Sequence, residues 1–230
     1  MSNLHTGRGT EARSNDLATF GDVGRTYVGH RSPQVIWTGV VIVLVVRVLI
    51  GGVGWADVLV VAATLLMSGL VEWVLHLVLL HAPEDSIRMT RFGTGTGHRE
   101  HHLDPTNVGW LMLSPSDAIS FLFMLIGWTA LWSLPLAALL GAPIIATFVT
   151  ALLAAYFALA HYEWTHLLVH TRYRPKNRYY RRLAANHRMH HYRNEHYWLG
   201  VTSNLGDRVL RTLPADKCDV PLSNTARTLS

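Results

Sequence analysis

Charged side chains and cysteine are both scarce in this sequence of 230 residues. Asp, Glu, Lys and Arg together make up 15% of it, whereas about a quarter of the residues in soluble domains are charged. The hydrophobic fraction is 50%. The single cysteine, Cys218, cannot form an intramolecular disulfide, so nothing indicates an oxidising compartment. The composition argues against a water-soluble domain and favours an integral membrane protein.

Four long apolar runs predict an all-α fold with four transmembrane helices. They cover residues 35–54, 58–81, 118–140 and 144–170, and each reaches the length of about 20 residues that a helix needs to cross a bilayer. Residues 1–33 are polar and predict a mobile N-terminal tail; the apolar residues begin too late for a cleaved signal peptide. We expect a membrane domain at 34–212 and a polar C-terminal tail at 213–230.

The distribution of basic residues predicts that both chain termini lie in the cytoplasm. Basic residues occur before the first run, between the second and third runs and after the fourth, whereas the connections 51–56 and 141–143 have none. Cytoplasmic segments of membrane proteins carry the excess of Lys and Arg. The segment Thr171–Asn186 has six basic residues in sixteen. Because it follows a membrane helix directly, we interpret it as a contact for anionic lipid headgroups rather than for nucleic acid.

Histidine is abundant, with 14 residues, and ten of them are clustered. The pentad HREHH occupies residues 98–102, and HRMHH occupies 187–191. Residues three and four apart share a helix face, so each pentad can direct three imidazoles to one side. The other four clustered histidines lie at the ends of the second and fourth runs, which the predicted orientation brings to the cytoplasmic face: His76, His81, His166 and His170. The first two are five apart, so they need either a distorted helical turn or separate metal ions.

The two halves of the chain repeat one order of motifs. The dipeptide Glu-Trp precedes the histidine pair in each half, at 72–73 and 163–164. The second histidine of each pair stands 17 residues before the first histidine of the following pentad. The repetition predicts two equivalent half-sites that meet face to face.

Ten neutral imidazoles can hold two metal ions with about five ligands each, and imidazole suits zinc, copper, iron and nickel. A structural zinc site closes with four ligands, often including cysteine. Ten histidines without a cysteine therefore indicate a paired-metal centre that can also bind dioxygen or water. The predicted ligands are His76, His81, His98, His101, His102, His166, His170, His187, His190 and His191.

Three further polar residues lie close to these ligands in the sequence. Glu72 and Glu163 can orient ligand imidazoles by accepting a hydrogen bond from them, and helix pairing is the alternative. His161 lies five residues before His166. We interpret it as a polar contact near the membrane surface, with a role as an eleventh ligand as the alternative.

These motifs resemble the fatty acid hydroxylase superfamily, which includes sterol desaturases and carotenoid hydroxylases. The resemblance spans about residues 70–212 and rests on EWVLHLVLLH (72–81), HREHH (98–102), HLLVH (166–170) and HRMHH (187–191). The stretches HHYRN (190–194) and GVTSNLGDRVLRT (200–212) look most similar to the fatty acid 2-hydroxylase branch.

The resemblance implies a four-helix membrane core with a cytoplasmic, histidine-rich di-metal cap. It implies two iron ions held by the same ten histidines, and hydroxylation of an unactivated C–H bond of a lipid with dioxygen and two external electrons. Eukaryotic members of the 2-hydroxylase branch often carry a fused cytochrome b5 domain. The sequence indicates no such domain before residue 35 or after residue 212, so we expect a separate donor: a ferredoxin, a cytochrome or a reductase.

Other functions are compatible with parts of the pattern. A desaturase or a carotenoid hydroxylase can use the same metal centre. A histidine-rich metal transporter would hold its ligands near the middle of the bilayer, and a haem-binding membrane cytochrome needs only one or two histidines per haem. The gathering of ten histidines at one predicted membrane face favours the oxygenase.

Overall fold

The computed structural model describes residues 12–83, 86 and 94–229. Over these residues the chain is helical and contains no strand, only one isolated bridge between Arg13 and Asn107. The all-α prediction is therefore confirmed for the described part of the chain. Residues 1–11, which belong to the predicted N-terminal tail, lie outside the described residues, as does most of the basic connection between the second and third apolar runs.

The described residues form α-helices of very different lengths. Short 3-10 turns lie at Ser14–Asp16 and Lys217–Asp219, and a π-turn at His76–Leu80 continues the third helix. The α-helices are α1 (Phe20–Gly29), α2 (Arg31–Ile50), α3 (Trp55–Leu75), α4 (Thr94–Leu103), α5 (Val108–Leu111), α6 (Pro115–Leu139), α7 (Ile144–Val169), α8 (Arg178–Tyr192) and α9 (Leu205–Val209).

Among the described residues, four helical stretches are long and apolar enough to cross a membrane: Arg31–Ile50, Trp55–Leu80, Val108–Leu139 and Ile144–Val169. They overlap the four predicted runs, although the third begins ten residues before the predicted start at residue 118. Local signals decide where two of the helices begin or end. Helix α2 ends at Ile50 because Gly51 and Gly52 have φ angles of 68° and 57°, a region that glycine adopts without steric cost. Helix α6 begins at Pro115, with the Ser114 side chain accepting from the Asp117 N–H at 3.1 Å.

The described residues divide into two compact units. The first takes its residues from Met1–Tyr27, Gly69–Leu113 and Glu163–Ser230, and it contains all ten clustered histidines. Its apolar core consists of Val23, Tyr27, Val108, Leu111, Met112, Leu167 and Leu168. The second takes its residues from Val28–Ser68 and Ser114–Tyr162, and its core consists of Val40, Leu125, Leu152, Ala155 and Tyr156.

Parts of both predicted tails are packed in the first unit. Helix α1 lies within the segment 1–33 and buries Val23 and Tyr27. Near the other end, Val220 and Ala226 are buried within the segment 213–230. These few apolar residues are too widely spaced among polar ones to produce a recognisable run, so the composition did not indicate their burial.

Candidate metal centre

A π-turn brings the two histidines of the first pair together. The backbone N–H of His81 donates to the carbonyl oxygen of His76 at 3.0 Å, which is the bond between residues five apart that defines a π-turn. The ring centroids of these two histidines are 4.7 Å apart. Of the two alternatives that the five-residue spacing left open, the structure thus contains the distorted turn, and both histidines belong to one group of candidate ligands.

The second pair and the pentads lie on ordinary helices, as predicted. His166 is on α7, and His170 follows directly after the last residue of that helix, with ring centroids 5.1 Å apart. Helix α4 carries the first pentad and α8 carries the second. A regular helical turn suits residues four apart, so no distortion is needed in this half.

The ten histidines form two groups of five, and within each group one nitrogen of every ring lies within 4.8 Å of the others. The first histidine group consists of His76, His81, His98, His102 and His190, and the second of His101, His166, His170, His187 and His191. The groups are adjacent, since the rings of His102 and His191 stack with centroids 4.1 Å apart. The structure therefore brings together all ten of the predicted ligands.

Each group contains one histidine from the pentad of the other half of the chain. His190, the fourth letter of HRMHH, belongs to the first histidine group, and His101, the fourth letter of HREHH, belongs to the second. The three histidines of a pentad share a helix face but are divided between two groups. The spacing within each pentad predicts the shared face; this division depends on how α4 and α8 pack.

The nitrogen positions fit metal ions. The Nε2 atoms of His76 and His98 are 3.1 Å apart, and so are those of His101 and His191. Two nitrogens that bind one ion at right angles, each about 2.1 Å from it, are about 3 Å apart. Among the described residues, the buried Nε2 atoms of His102 and His190 have no hydrogen-bond partner. Buried polar atoms normally have one, so these nitrogens are suited to a metal.

Backbone carbonyls fix the orientation of four of the imidazoles. Nδ1 of His76 lies 2.5 Å from the Leu199 carbonyl oxygen, and Nδ1 of His166 lies 2.7 Å from that of Leu111. Nδ1 of His102 and of His190 pair in the same way with the carbonyls of Ala226 and Tyr197. A carbonyl only accepts, so Nδ1 carries the proton and Nε2 is left as the metal-binding atom.

The carboxylates of Glu72 and Glu163 bind the backbone segments that carry two of these carbonyls. Glu72 accepts from the N–H groups of Val201 and Thr202, two and three residues after Leu199. Glu163 accepts from the N–H of Leu113 at 3.0 Å, two residues after Leu111. In both halves, Nδ1 of the first histidine of the pair thus donates to a backbone carbonyl. A glutamate accepts from the backbone N–H of the residue two positions after that carbonyl.

Asp207 is a further buried residue of the same network. Its carboxylate accepts from the N–H groups of Leu199 and Gly200, both at 2.9 Å, and from the Thr212 hydroxyl at 2.6 Å. It therefore holds the carbonyl of Leu199 toward His76. Asp207 lies within the stretch GVTSNLGDRVLRT, but its role could not be predicted from sequence, because it contacts backbone N–H groups that any residue type provides.

The segment 213–229 also contacts the first histidine group, which composition did not predict. Besides the contact between Ala226 and His102, the guanidinium of Arg99 donates to the carbonyls of Thr228 and Leu229 at 2.6 and 2.7 Å. Arg99 is the second letter of HREHH, and it is buried, whereas the equivalent Arg188 in HRMHH is exposed. The two halves are thus not equivalent at this position.

The clustered histidines outside the membrane-spanning stretches are held in their neutral form. Burial lowers the pKa of every one, and neighbouring imidazoles lower it further; for His102, the pKa falls to about 3. Neutral imidazole is the form that binds metal ions. The histidines concerned are His81, His98, His101, His102, His170, His187, His190 and His191.

His161 belongs to neither histidine group among the described residues. Its position on α7, five residues before His166, is more than one turn of an α-helix away along the chain. Our interpretation of it as a polar contact outside the metal centre stays a prediction.

Comparison with known proteins adds three findings. A family model described as fatty acid hydroxylase matches residues 60–212, which include all ten clustered histidines. Dihydroceramide fatty acyl 2-hydroxylase FAH2 of Arabidopsis thaliana is 31% identical over 163 residues, which are 69% of this chain and 62% of that protein. The match thus spans less than two thirds of the length of this relative.

The fold is also similar to a solved structure, that of full-length Scs7p, in which only the hydroxylase domain is visible. The TM-score is 0.62 with 24% sequence identity, over 84% of this chain and 68% of that one. At this level of identity the likeness concerns the fold. The family model covers most of the chain and every histidine of the two groups, and we conclude that the chain belongs to the fatty acid hydroxylase family.

Proposed function

We propose that this protein is a membrane-integrated hydroxylase that inserts one oxygen atom into an unactivated C–H bond of a fatty acyl chain. The observation that carries the proposal is the pair of adjacent histidine groups, each with five nitrogens within 4.8 Å of one another. The second oxygen atom of dioxygen leaves as water, formed with two electrons from a separate donor and two protons from the solvent. A fatty acyl substrate is favoured because the named relative is a fatty acyl 2-hydroxylase.

Iron is the metal that we propose for both groups. A hydroxylation with dioxygen needs a redox-active metal, which excludes zinc, and imidazole ligands suit iron. Two iron ions would pass electrons from the donor to dioxygen and would supply the open coordination positions for its activation. The ten histidines would hold them through neutral imidazoles, four of them oriented by the carbonyls of Leu199, Leu111, Ala226 and Tyr197.

We further propose that both termini and the metal centre lie on the cytoplasmic side. This orientation is supported by the basic residues of the connecting segments. The donor would then be a cytoplasmic ferredoxin, cytochrome or reductase. A substrate acyl chain can enter from the bilayer while its polar end stays near the surface, and the burial of eight of the ten histidines keeps water from the reacting atoms.

The test is a comparison of cellular lipids with and without the gene, with two single variants. His101→Ala removes a buried ligand of the second histidine group. His196→Ala removes an exposed histidine that lies outside both groups, and it serves as the matched control. We expect hydroxylated acyl chains with the wild type and with His196→Ala, and their absence with His101→Ala.

Mass spectrometry also separates the alternatives. A product with one additional oxygen atom supports the hydroxylase, whereas a product that has lost two hydrogen atoms identifies a desaturase. If cellular lipids stay unchanged while His101→Ala abolishes metal uptake, the protein is a transporter and the proposal is wrong. Metal analysis of the purified protein tests the choice of iron.

A further inference from the structure

The exposed face of α8 is strongly basic. Positions 178, 181, 182, 185, 188 and 192 form one stripe along this helix, and all six residues are exposed. Four of them are arginines: Arg178, Arg181, Arg182 and Arg188. Among the residues that the structure describes, none of these four guanidinium groups forms an ion pair with a carboxylate. We call this surface the arginine stripe.

The sequence on either side of the arginine stripe is also basic and contains no acidic residue. From Thr171 to Asn194 the sequence has eight basic residues and neither Asp nor Glu. At the C-terminal end of the stripe, the guanidinium of Arg227 lies over the Tyr192 ring, 5.9 Å from its centroid. Such a field attracts an acidic partner over distances of about a Debye length and speeds its association.

The opposite face of the same helix carries metal ligands of both groups. His187 and His191 belong to the second histidine group and His190 to the first, and all three are buried. An α-helix with its side chains is about 10–12 Å across. A protein that docks on the arginine stripe is therefore separated from both histidine groups by little more than the thickness of one helix.

We propose that the arginine stripe of α8 is the docking surface for an acidic electron-carrier protein. The inference rests on the proposed function, which consumes two external electrons for each product molecule. The carrier is oxidised, and its electrons pass across α8 toward the metal centre. Complexes of redox proteins have small interfaces, and charge complementarity in such contacts governs the rate of association and its dependence on salt.

The arginine stripe overlaps the basic segment Thr171–Asn186, for which the sequence pattern favoured lipid headgroups. On the folded helix α8, however, a lipid surface fits the stripe less well than an acidic protein does. Helices that lie in a membrane surface combine a basic face with apolar side chains that insert between the lipids. On α8, the side opposite the stripe is buried within the protein and holds Leu183 and the three ligand histidines. The stripe itself presents four arginines, Ala185 and Tyr192, and thus no row of apolar side chains that could insert.

The experiment uses the full chain in nanodiscs of phosphatidylcholine and, separately, in nanodiscs that also contain phosphatidylglycerol, with a soluble ferredoxin of acidic surface as the probe. The test variant is Arg178→Gln/Arg182→Gln/Arg188→Gln. It leaves out Arg181, whose guanidinium donates to the Lys176 carbonyl at 2.9 Å. The control variant removes the same charge from exposed residues outside α8: Arg208→Gln/Arg211→Gln/Lys217→Gln. Ferredoxin binding is measured by surface plasmon resonance at several KCl concentrations, and turnover is measured with ferredoxin and, separately, with dithionite.

We expect the test variant to weaken ferredoxin binding roughly tenfold at low salt, the lower end of the electrostatic effect on association. Its ratio of ferredoxin-supported to dithionite-supported turnover falls accordingly, and the dependence of binding on KCl becomes less steep. The control variant stays within about twofold of the wild type in each measurement, because exposed charges away from the interface are screened by salt.

Equal binding and equal salt dependence in the wild type and the test variant would overturn the docking proposal. So would a defect that occurs only in nanodiscs with phosphatidylglycerol, since the stripe would then contact headgroups. If the wild type hydroxylates no lipid even with dithionite, the proposed function is wrong. In that case the binding measurement still decides: salt-dependent ferredoxin binding that the test variant loses supports docking, and its absence refutes it.

Discussion

Single side chains hold the polar groups of this apolar protein in place. Arg47 and Asp57 form a buried pair in the second unit, with Arg47 Nη2 3.0 Å from Asp57 Oδ1. The same guanidinium donates to the Thr150 hydroxyl and to the carbonyls of Gly51 and Gly52. Every nitrogen of the Arg47 side chain has an acceptor, which is why a charge can occur inside an apolar run.

This pair predicts opposite effects of single and double replacement. Arg47→Met leaves the Asp57 carboxylate buried without its cation, and we expect it to lower the free energy of unfolding by about 3–5 kcal/mol. Arg47→Met/Asp57→Leu removes both charges and should recover most of that loss. Thermal unfolding in detergent, followed by tryptophan fluorescence, measures both. A double variant as unstable as the single one would contradict the prediction.

The hydroxyl of Tyr179 gives the protein a pH dependence at high pH. It donates to the Thr202 carbonyl at 2.5 Å, and burial, together with the neighbouring Tyr180 and Glu72, raises its pKa from 10 to about 12. A raised pKa means that the fold favours the protonated form. The resulting stabilisation is complete below pH 10 and is lost as the pH rises through 12.

Tyr179→Phe isolates this effect. The wild type should be more stable than the variant by about 1 kcal/mol near neutral pH, the usual contribution of one hydrogen bond. The difference should shrink between pH 10 and 12, where the phenol ionises. Unfolding midpoints of both proteins at several pH values provide the measurement. A difference that stays constant up to pH 12 would show that the phenol does not contribute in this way.

At the scale of elements, the π-turn His76–Leu80 determines whether the first histidine group can form. It accommodates one residue more than a regular turn, and thereby brings together, edge to face, the rings of two histidines that are five apart. In an α-helix they would lie about 140° apart around the axis. Helices α4 and α8 need no such device, because their histidines have helical spacing.

Insertion of one alanine between Val78 and Leu79 would place His76 and His81 six residues apart, one more than the π-turn accommodates, and should remove His81 from the first histidine group. We expect the bound metal to fall from two ions per chain to one, since the second histidine group takes no ligand from this turn. Val78→Ala, which keeps the residue count, is the control and should retain both ions. Metal content by mass spectrometry, relative to protein, distinguishes the two. Unchanged metal content in the insertion variant would refute the role of the turn.

At the scale of the whole molecule, the two histidine groups are interlocked. Each takes four ligands from its own half of the chain and one from the pentad of the other half. Neither half can complete a five-histidine group by itself, although the motifs of the two halves have the same order. The adjacency of the groups, with the His102 and His191 rings stacked, follows from the packing of the two pentad helices.

This arrangement predicts which double variants behave like single ones. His76→Ala/His190→Ala removes two ligands of the first histidine group, although the residues come from different halves. It should lose one metal ion, as each single variant does. His187→Ala/His190→Ala removes two histidines of one pentad but one from each group, and it should lose both ions. Ligands of one site are coupled and ligands of separate sites are additive. The reverse result would mean that each pentad serves one metal.

The sequence by itself determined the four apolar helices, the helical pentads and the identity of the ten clustered histidines. These features depend on run length and on spacing along one helix, which are local properties of the chain. The spacing of His76 and His81 required either a distorted turn or separate metal ions. Sequence reasoning could not, however, distinguish the distorted turn from separate metal ions.

Only the tertiary structure decided how the histidines are divided into two groups and what holds them. The exchange of His101 and His190 depends on how α4 and α8 pack. The carbonyls of Leu199 and Leu111 that orient the imidazoles belong to residues of any type, so they leave no mark in the sequence. Glu72, Glu163 and Asp207 act on those backbone segments from as many as 130 positions away. Such contacts join residues distant in the chain, and local spacing carries no information about them.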